Sequence, residues 1–407
     1  MKTRLIPVYL LTFVNTIGFT ILIPVLPFIV DQYHGGALTY GFLLSAYSLS
    51  QFLATPLIGS LSDKFGRRPT LLISQAGTLL SWVIFGIAYF LPNIGIAGIA
   101  LPIIIIGFSR ITDGITGGNI SVTNAYIADI TAPKERTKIY GQMGAVMGFG
   151  FIIGPVLGGF SATTSIGYFG TVLTAAFISL VTLILIYLYL AESLTDENRV
   201  PHLEIHLLKE LNILGRIREV SENGIIKKLF IKRFFFSFAF ACFTATFALY
   251  AMEFLELSVG GLGVLMLVIG IFSIINHAVI VHQMEKIFQN EKTFFIGQII
   301  MTIGMALIAL KPDLTFFIIL MFISNLGLAL SMTTLKTMVT NESPPGKLGR
   351  ITGIDESITA GNNGIAPIFA SFIYGFITFY AYGIFALFLL MPLIICPLIK
   401  SKKMPNH

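Results

Sequence analysis

Twelve stretches of about 20 mostly apolar residues recur along this 407-residue chain, and they constrain its fold more than any other feature. A helix needs about 20 apolar residues to cross the hydrocarbon core of a bilayer. A β-barrel would instead show segments of about ten residues with alternating polarity. The chain is therefore predicted to be an all-α integral membrane protein with twelve transmembrane helices. The predicted spans are 5–30, 39–60, 70–91, 100–127, 138–160, 168–190, 230–255, 261–283, 293–310, 315–338, 350–374 and 379–399.

The charged residues are few and unevenly placed. Only 11% of the residues are charged, whereas about a quarter are charged in an ordinary soluble domain. Of the 26 lysines and arginines, 24 lie at the termini or in and beside the loops that join even-numbered to odd-numbered helices. Basic residues stay on the cytoplasmic side of a membrane. We therefore expect a multi-pass protein of the cell membrane (the inner membrane in a Gram-negative bacterium) with both termini in the cytoplasm. The net charge of +6 then needs no nucleic-acid partner.

A long polar loop divides the predicted helices into two sets of six. Residues 191–229 mix acidic and basic side chains, whereas the other loops are short. The sequences on the two sides also repeat, because aligning Pro155 with Pro367 aligns Gly141 with Gly353. We therefore predict a six-helix bundle at 1–190, a cytoplasmic loop at 191–229 and a pseudo-symmetric second bundle at 230–407. Two related bundles around a central cavity are the usual architecture for transport by alternating access.

The loop between the second and third helices carries the densest motif, G-S-L-S-D-K-F-G-R-R-P, at residues 59–69. A glycine in this loop permits a tight turn that a β-carbon disfavours. The acid can pair with the neighbouring arginines or with a helix end of the opposite bundle, and so close the cytoplasmic side. The alternative is a plain topology anchor. The cytoplasmic gate motif is assigned to Gly59, Asp63, Gly66, Arg67 and Arg68.

The fourth predicted helix contains an acid and a base in the middle of the membrane. Asp113 follows Arg110 by three residues, so the two side chains can share one helix face. A charge at the bilayer centre costs about 3 kcal/mol unless it faces a cavity or a partner. Asp113 is therefore expected to line the central cavity and, with Arg110 beside it, to couple transport to proton uptake. The alternative is a permanent ion pair that only orients the helix.

The fifth predicted helix has a smooth, bent face. Gly150, Gly154 and Gly158 recur every four residues, which lets a neighbouring backbone approach closely. Pro155 removes a helix hydrogen bond and bends the chain, and Gly159 adds a further small residue. Such a face suits a helix against which another must slide. Static close packing is the alternative.

Several polar side chains lie within the predicted spans. One of them, His277, can titrate near neutral pH, although a hydrogen-bonded structural histidine is the alternative. The others are amides, which either bind substrate or bridge helices. The acids Glu253, Asp355 and Glu356 lie near helix ends, where we expect solvated or loop-pairing roles. The residues assigned to a possible substrate cavity are Asn15, Gln51, Asn124, Gln142, His277, Gln298, Asn325 and Asn362.

Several of these stretches resemble a known family. The loop at 59–69 is similar to the motif of the Major Facilitator Superfamily. R-I-T-D-G-I-T-G-G at 110–118 resembles the fourth helix of proton-coupled drug exporters, and G-F-G-F-I-I-G-P-V-L-G-G at 148–159 resembles the antiporter motif of their fifth helix. Together with I-P-V-L-P at 23–27, they resemble the tetracycline–proton antiporter branch of the drug–proton antiporters. The resemblance is specific over residues 1–190 and weaker beyond them.

The resemblance implies a monomeric secondary transporter that exports a small organic compound, such as a drug or metabolite, in exchange for protons. The tetracycline branch has an acid in the first helix where this chain has Asn15, and another in the ninth helix, where Gln298 lies nearby. An amide cannot carry a proton, so tetracycline–metal chelates are a doubtful substrate and Asp113 is the candidate coupling residue. A proton-coupled importer or facilitator of a nutrient or metabolite on the same fold is the alternative.

An enzyme is not expected. The sequence contains no H-E-x-x-H, no G-x-S-x-G and no Walker loop. It also has no histidine-rich cluster that would bind a metal. We therefore expect no catalytic residues, no cofactor and no metal site.

Overall fold

The computed structural model describes residues 2–195, 199, 212, 215, 217–218, 224–281, 283–284, 290–343 and 348–395. These residues are almost wholly helical, since a chain in lipid must satisfy its own backbone hydrogen bonds. A two-stranded antiparallel hairpin, β1 (Gly95–Ile96) and β2 (Ile99–Ala100), joins α4 to α5. The helices of the first half are α1 (Lys2–Thr20), α2 (Leu26–Gln32), α3 (Ala37–Phe65), α4 (Arg67–Phe90), α5 (Leu101–Gly117), α6 (Ile120–Ile130), α7 (Pro133–Ala162) and α8 (Tyr168–Tyr189).

Within the described residues, the second half contributes six more helices. A π-helical turn (Asn276–Val281) continues α10, and a 3-10 turn (Thr378–Tyr380) joins α13 to α14. Most of the polar loop predicted at 191–229 lies outside the described residues. The helices are α9 (Gly224–Glu253), α10 (Val259–Ile275), α11 (Asn290–Ile308), α12 (Leu314–Asn341), α13 (Leu348–Ile377) and α14 (Ala381–Ile395).

The predicted membrane spans agree with these helices. By length and composition, eight stretches of the described residues can cross a membrane, and the last of them, Arg350–Ile395, contains α14 and nearly all of α13. Leu5–Thr20 and Val259–Ile275 are shorter apolar helices. Each of the twelve predicted spans overlaps a helix of the structure, so the all-α membrane fold is confirmed.

Three spans are not the continuous helices that were predicted. The first is interrupted between α1 and α2, where Pro24 cannot donate a backbone hydrogen bond. The fourth is interrupted between α5 and α6, at Gly118 and Asn119. The eighth changes to a π-helix at Asn276. Hydropathy alone misses such breaks because the apolar run continues through them.

The two halves contact each other through α3 with α13 and through α7 with α10. A β-carbon at Gly41 of α3 would lie 2.6 Å from the carbonyl oxygen of Pro367 in α13. A β-carbon at Gly159 of α7 would lie 2.9 Å from the Cα atom of Gly263 in α10. Both contacts lie at the end of the molecule where α3 begins and α7 ends. We call these two contacts the end seal.

The same face of α7 is open further from the seal. Gly148 lies eleven residues before Gly159, which is about three helical turns, so the two glycines share a face. A β-carbon at Gly148 would meet no atom within 4 Å. The face that touches the second half at one end of α7 is therefore free near the middle of the helix.

Candidate functional site

Arg110 and Asp113 form an ion pair inside the first half of the molecule. Both lie on α5, where Nη2 of Arg110 is 3.0 Å from Oδ2 of Asp113. The side chains are only 3% and 5% exposed. The spacing of three residues places them on one helix face, as the sequence indicated. Side chains of α3 and α4 pack around the pair. Arg110 also lines a small cavity with Phe19 and Leu44, so the placement of Asp113 beside a cavity stays a prediction.

Three aromatic rings surround the guanidinium of Arg110. Its Cζ atom lies 5.2 Å from the ring centre of Trp82, 5.7 Å from that of Phe85 and 5.7 Å from that of Tyr47. All three rings are buried. The face of an aromatic ring attracts a cation, so the rings stabilise a charge that has been removed from water. Sequence motifs could not identify these rings, because they come from two other helices.

Glycines on α5 allow α3 to approach the ion pair. A β-carbon at Gly114 would overlap the carbonyl oxygen of Tyr47. At Gly117 it would lie 3.1 Å from Nε2 of Gln51, and this same amide donates a 3.0 Å hydrogen bond to the Gly117 carbonyl. Gln51 was assigned to a substrate cavity. The structure places it against α5, where it satisfies a carbonyl at the end of the helix.

Asn119 holds the break between α5 and α6. Its Oδ1 atom accepts a 2.7 Å hydrogen bond from Nδ2 of Asn15 on α1, and its own Nδ2 donates to Oγ of Ser74 on α4 at 2.8 Å. Ser74 in turn donates to the carbonyl of Thr116. Asn15 is therefore engaged in linking α1 to the break. Asn119 could not be singled out from the sequence, because an Asn within an apolar run does not by itself indicate a break.

The predicted gate motif forms a local charge network at the end of the molecule opposite the end seal. Nη1 of Arg67 lies 2.5 Å from Oδ1 of Asp63, and its Nε lies 3.2 Å from Oδ2 of Asp129 on α6. Asp63 thus pairs with the basic cluster, the first of its two expected partners. Gly59 packs against α6, with a β-carbon position 3.3 Å from Oγ of Ser121. Asp129 had not been assigned to the motif, although it lies in the stretch that follows the fourth span.

Glu192, just after α8, holds the turn of the gate motif. Its carboxylate accepts hydrogen bonds from the backbone N–H groups of Arg67 at 2.9 Å and Arg68 at 3.1 Å. These groups begin α4, where a helix favours a negative charge. Gly66 has a φ of +102° and its β-carbon position lies 2.5 Å from Oε2 of Glu192. Glycine is therefore needed both for the backbone conformation and for the space.

The glycine face of α7 packs on α1. A β-carbon at Gly150 would lie 2.9 Å from side-chain atoms of Thr16. At Gly154 it would overlap Thr20, and at Gly158 it would overlap the carbonyl oxygen of Ile21, just after α1. Pro155 lies inside α7. The close approach expected from the glycine spacing is present, and Gly159 forms part of the end seal.

The remaining amides assigned to a substrate cavity are scattered. In the second half, Nδ2 of Asn276 donates to Oδ1 of Asn325 at 3.0 Å, and Asn362 donates to the carbonyl of Phe234 at 2.8 Å. Gln298 is fully buried and neither of its amide atoms has a hydrogen-bond partner.

The more exposed residues assigned to the substrate cavity are Asn124, Gln142 and His277. Gln142 accepts from Tyr9, and the imidazole of His277 contacts the backbone of its own helix.

Asp355 does not have the solvated role that was expected. It forms a buried ion pair with Arg233, with 2.7 Å between Nε of Arg233 and Oδ1 of Asp355, and each side chain is 6% exposed. The pair links α9 to α13. The expectation failed because Asp355 lies only seven residues from the start of α13, yet its face of the helix packs against α9. Its neighbour Glu356 is exposed and pairs with Lys336 at 3.5 Å.

Comparison with known proteins gives a family match over nearly the whole chain. The Major Facilitator Superfamily matches residues 8–283 and 278–406. Tetracycline resistance protein, class C, of Escherichia coli is 27% identical over 367 residues, which cover 88% of this chain and 87% of that protein. Multidrug resistance protein 2 of Bacillus subtilis (strain 168) is 32% identical over 240 residues, or 59% of this chain and 56% of that protein. The resemblance to the tetracycline branch is thereby confirmed.

Solved structures share the fold at lower identity. The human organic anion transporter MFSD10 (TETRAN) has a TM-score of 0.70 and 20% identity, with 97% of this chain and 99% of that chain covered. A D-xylose–proton symporter has a TM-score of 0.70 and 17% identity, with 99% of each chain covered. The twelve-helix transporter fold is therefore supported by structure as well as by sequence.

Proposed function

The chain belongs to the Major Facilitator Superfamily, and on that premise we propose that it exports a small organic compound in exchange for protons. It is a membrane-embedded secondary transporter and not an enzyme. The observation that carries the proposal is the buried ion pair of Arg110 and Asp113. A charged pair within a transmembrane helix indicates a functional site, because placing either charge inside the membrane costs free energy.

Asp113 is the proposed proton carrier. When a proton binds its carboxylate, the attraction to Arg110 is lost and the packing of α5 against α3 and α4 changes. The neighbouring break at Asn119 gives the two parts of this span freedom to respond separately. Asn15 and Gln298, which stand near the acid positions of the tetracycline branch, cannot bind a proton, so the coupling is assigned to Asp113 alone.

Alternating access is supported by the end seal. The contacts of Gly41 with Pro367 and of Gly159 with Gly263 bring the two halves together at one end. With both termini in the cytoplasm, as the basic residues indicate, this end faces outward and the transporter is open to the cytoplasm. Opening the seal and closing the gate motif would then expose the cavity to the outside. In that motion, Asp63 and the arginines beside it form the cytoplasmic gate.

The substrate is proposed to be a drug or metabolite, handled by a single copy of the chain. Relatives named for tetracycline and multidrug resistance support an organic compound. The neutral residues at Asn15 and Gln298 argue against a tetracycline–metal chelate. The runner-up function is proton-coupled import or facilitated diffusion of a nutrient, for which a D-xylose–proton symporter with the same fold is a precedent.

The test is transport by the purified protein in liposomes under an imposed pH gradient, against a chemically diverse panel of compounds. We expect at least one organic compound to move against its concentration gradient, in the direction opposite to the protons. The Asp113→Asn variant, reconstituted at the same density, is the control. Movement in the same direction as the protons would establish the importer instead, and transport that ignores the pH gradient would establish a facilitator.

A further inference from the structure

We infer that Trp82, Tyr47 and Phe85 are positioning residues that hold the Arg110 guanidinium when Asp113 is protonated, and that they thereby set how readily Asp113 binds its proton. We call these three rings the aromatic cage. The inference rests on the proposed role of Asp113 in coupling and adds residues that no motif identifies. The cage acts on Arg110 after protonation has neutralised Asp113.

The geometry leaves Arg110 with little else to compensate its charge. Its contact with Asp113 spans 3.0 Å, but Nε and Nη2 of the guanidinium have no aligned hydrogen-bond acceptor. The ring centres of Trp82, Phe85 and Tyr47 lie 5.2 to 5.7 Å from its Cζ atom. These distances are within the range of cation–π attraction. The rings are 1%, 0% and 6% exposed, so water does not weaken that attraction.

The charge balance shows why the cage matters. A proton taken from water converts the Asp113 carboxylate to a neutral acid, and the guanidinium keeps its positive charge. A buried charge whose partner has been removed is strongly unfavourable. The ring faces stabilise the guanidinium most when it is unpaired, because a carboxylate no longer competes for it. The cage therefore favours the protonated state of the site.

The surroundings add few competing groups. On α4, the hydroxyl of Ser81 donates to the carbonyl of Thr78, and the hydroxyl of Thr78 pairs with that of Thr116 at 3.1 Å. From α3, the titratable side chain that acts on the pair is the phenol of Tyr47. On α5 itself, the charged residues are Arg110 and Asp113. Within the described residues, the aromatic cage is thus the main favourable contact of the guanidinium besides Asp113.

Trp82 is the single tryptophan of the chain. Its fluorescence therefore reports on the aromatic cage. We propose to titrate the intrinsic fluorescence of the purified full-length protein with pH, without substrate. The emission should change in one transition in the unsubstituted protein. The Asp113→Asn variant should lack this transition, which assigns it to the carboxylate next to the cage.

Removing one ring at a time tests the cage. Tyr47→Leu and Phe85→Leu act on different helices and leave the reporter in place, and each should move the midpoint to lower pH by about 0.5 to 1 unit. Tyr47→Phe retains the ring and should keep the original midpoint. Phe108→Leu is the matched control, because Phe108 is 62% exposed on the same helix as Arg110 and should also leave the midpoint unchanged.

Two outcomes would overturn the inference, and they can be told apart. If the transition depends on Asp113 but neither Leu variant moves its midpoint, the cage has no role while the proposed coupling stands. If the unsubstituted protein shows no transition that Asp113→Asn removes, the coupling role of Asp113 fails and the cage fails with it. The presence of both the Asp113-dependent transition and the midpoint shifts supports the inference.

Discussion

Among the described residues, the two most deeply buried ion pairs are those whose disruption should destabilise the protein most. Arg110 with Asp113 lies within a single helix, whereas Arg233 with Asp355 joins two helices. Removing one member of a buried pair leaves the other charge without compensation, which is more damaging than removing both. This asymmetry allows a structural role to be separated from a role in coupling.

We predict that Asp113→Asn abolishes transport driven by a pH gradient but leaves exchange of substrate across the membrane measurable. The amide imitates the protonated carboxyl, so the cavity can still open to both sides while the proton no longer drives the cycle. The measurement compares uphill uptake with exchange in liposomes.

A double variant distinguishes coupling from mere packing. Arg110→Ala alone should lower stability by about 3–5 kcal/mol, and adding Asp113→Ala should restore much of that loss. Thermal unfolding of the purified variants measures both effects. Full gradient-driven transport in the double variant would show that Asp113 is not the coupling residue, and His277 would become the next candidate.

The adjacent acids Asp355 and Glu356 should respond very differently to substitution. Asp355→Ala strands Arg233 in the protein interior and should cost about 3–5 kcal/mol. Glu356→Ala removes half of an ion pair whose side chains are 67% and 66% exposed, and should cost less than about 1 kcal/mol. Melting temperatures in one detergent give the comparison. Equal losses in the two variants would contradict the buried pairing of Asp355.

At the scale of the element, α7 is the clearest case of a helix whose sequence determines its packing. Its glycines face α1 at Gly150, Gly154 and Gly158, and the same helix reaches α10 at Gly159. A helix that contacts both its own half and the opposite half can be changed at one contact while the other is left alone. Substitutions along α7 therefore test the two contacts separately.

We predict that Gly158→Ala destabilises the protein, whereas Gly148→Ala does not. The new methyl group at 158 would overlap the carbonyl oxygen of Ile21, and a backbone atom cannot turn aside as a side chain can. Overpacking of this kind costs about 1–3 kcal/mol. At 148 the methyl group meets open space, and alanine is the better helix former by up to about 1 kcal/mol. A melting temperature for Gly158→Ala at or above that of Gly148→Ala would contradict the close packing of α7 on α1.

Much of this fold was predictable because an apolar run of about 20 residues in a bilayer forms a helix that crosses it. The pairing of Arg110 with Asp113 was also predictable, since three residues along a helix fix their relative direction. The aromatic cage was not, because its rings are brought together by the packing of α3 and α4 on α5. Asp355 was misjudged for a related reason: distance from a helix end says nothing about which face packs on a neighbour.

At the scale of the whole molecule, orientation in the membrane follows from the basic residues and stays a prediction. We expect Asp196→Cys to be inaccessible from outside intact cells to a thiol reagent that cannot cross the membrane. Cys242 and Cys396 are first replaced to remove background. Asp196 and Cys396 lie outside the described residues, while Cys242 is buried. Labelling once the cells are permeabilised confirms that the thiol is reactive, and labelling of intact cells would reverse the assigned orientation.

The hydrogen bonds of Glu192 to the start of α4 connect the end of the first half to the gate motif. The carboxylate also accepts hydrogen bonds from the N–H groups of Ser193 and Leu194, so the chain leaving the first half is fastened to the Gly66 turn. Tension on the segment between the two halves would act first on this turn, and through it on the pair of Asp63 and Arg67. The end of the first half is thus joined directly to the one loop that, in our proposal, must move when the cytoplasmic end closes.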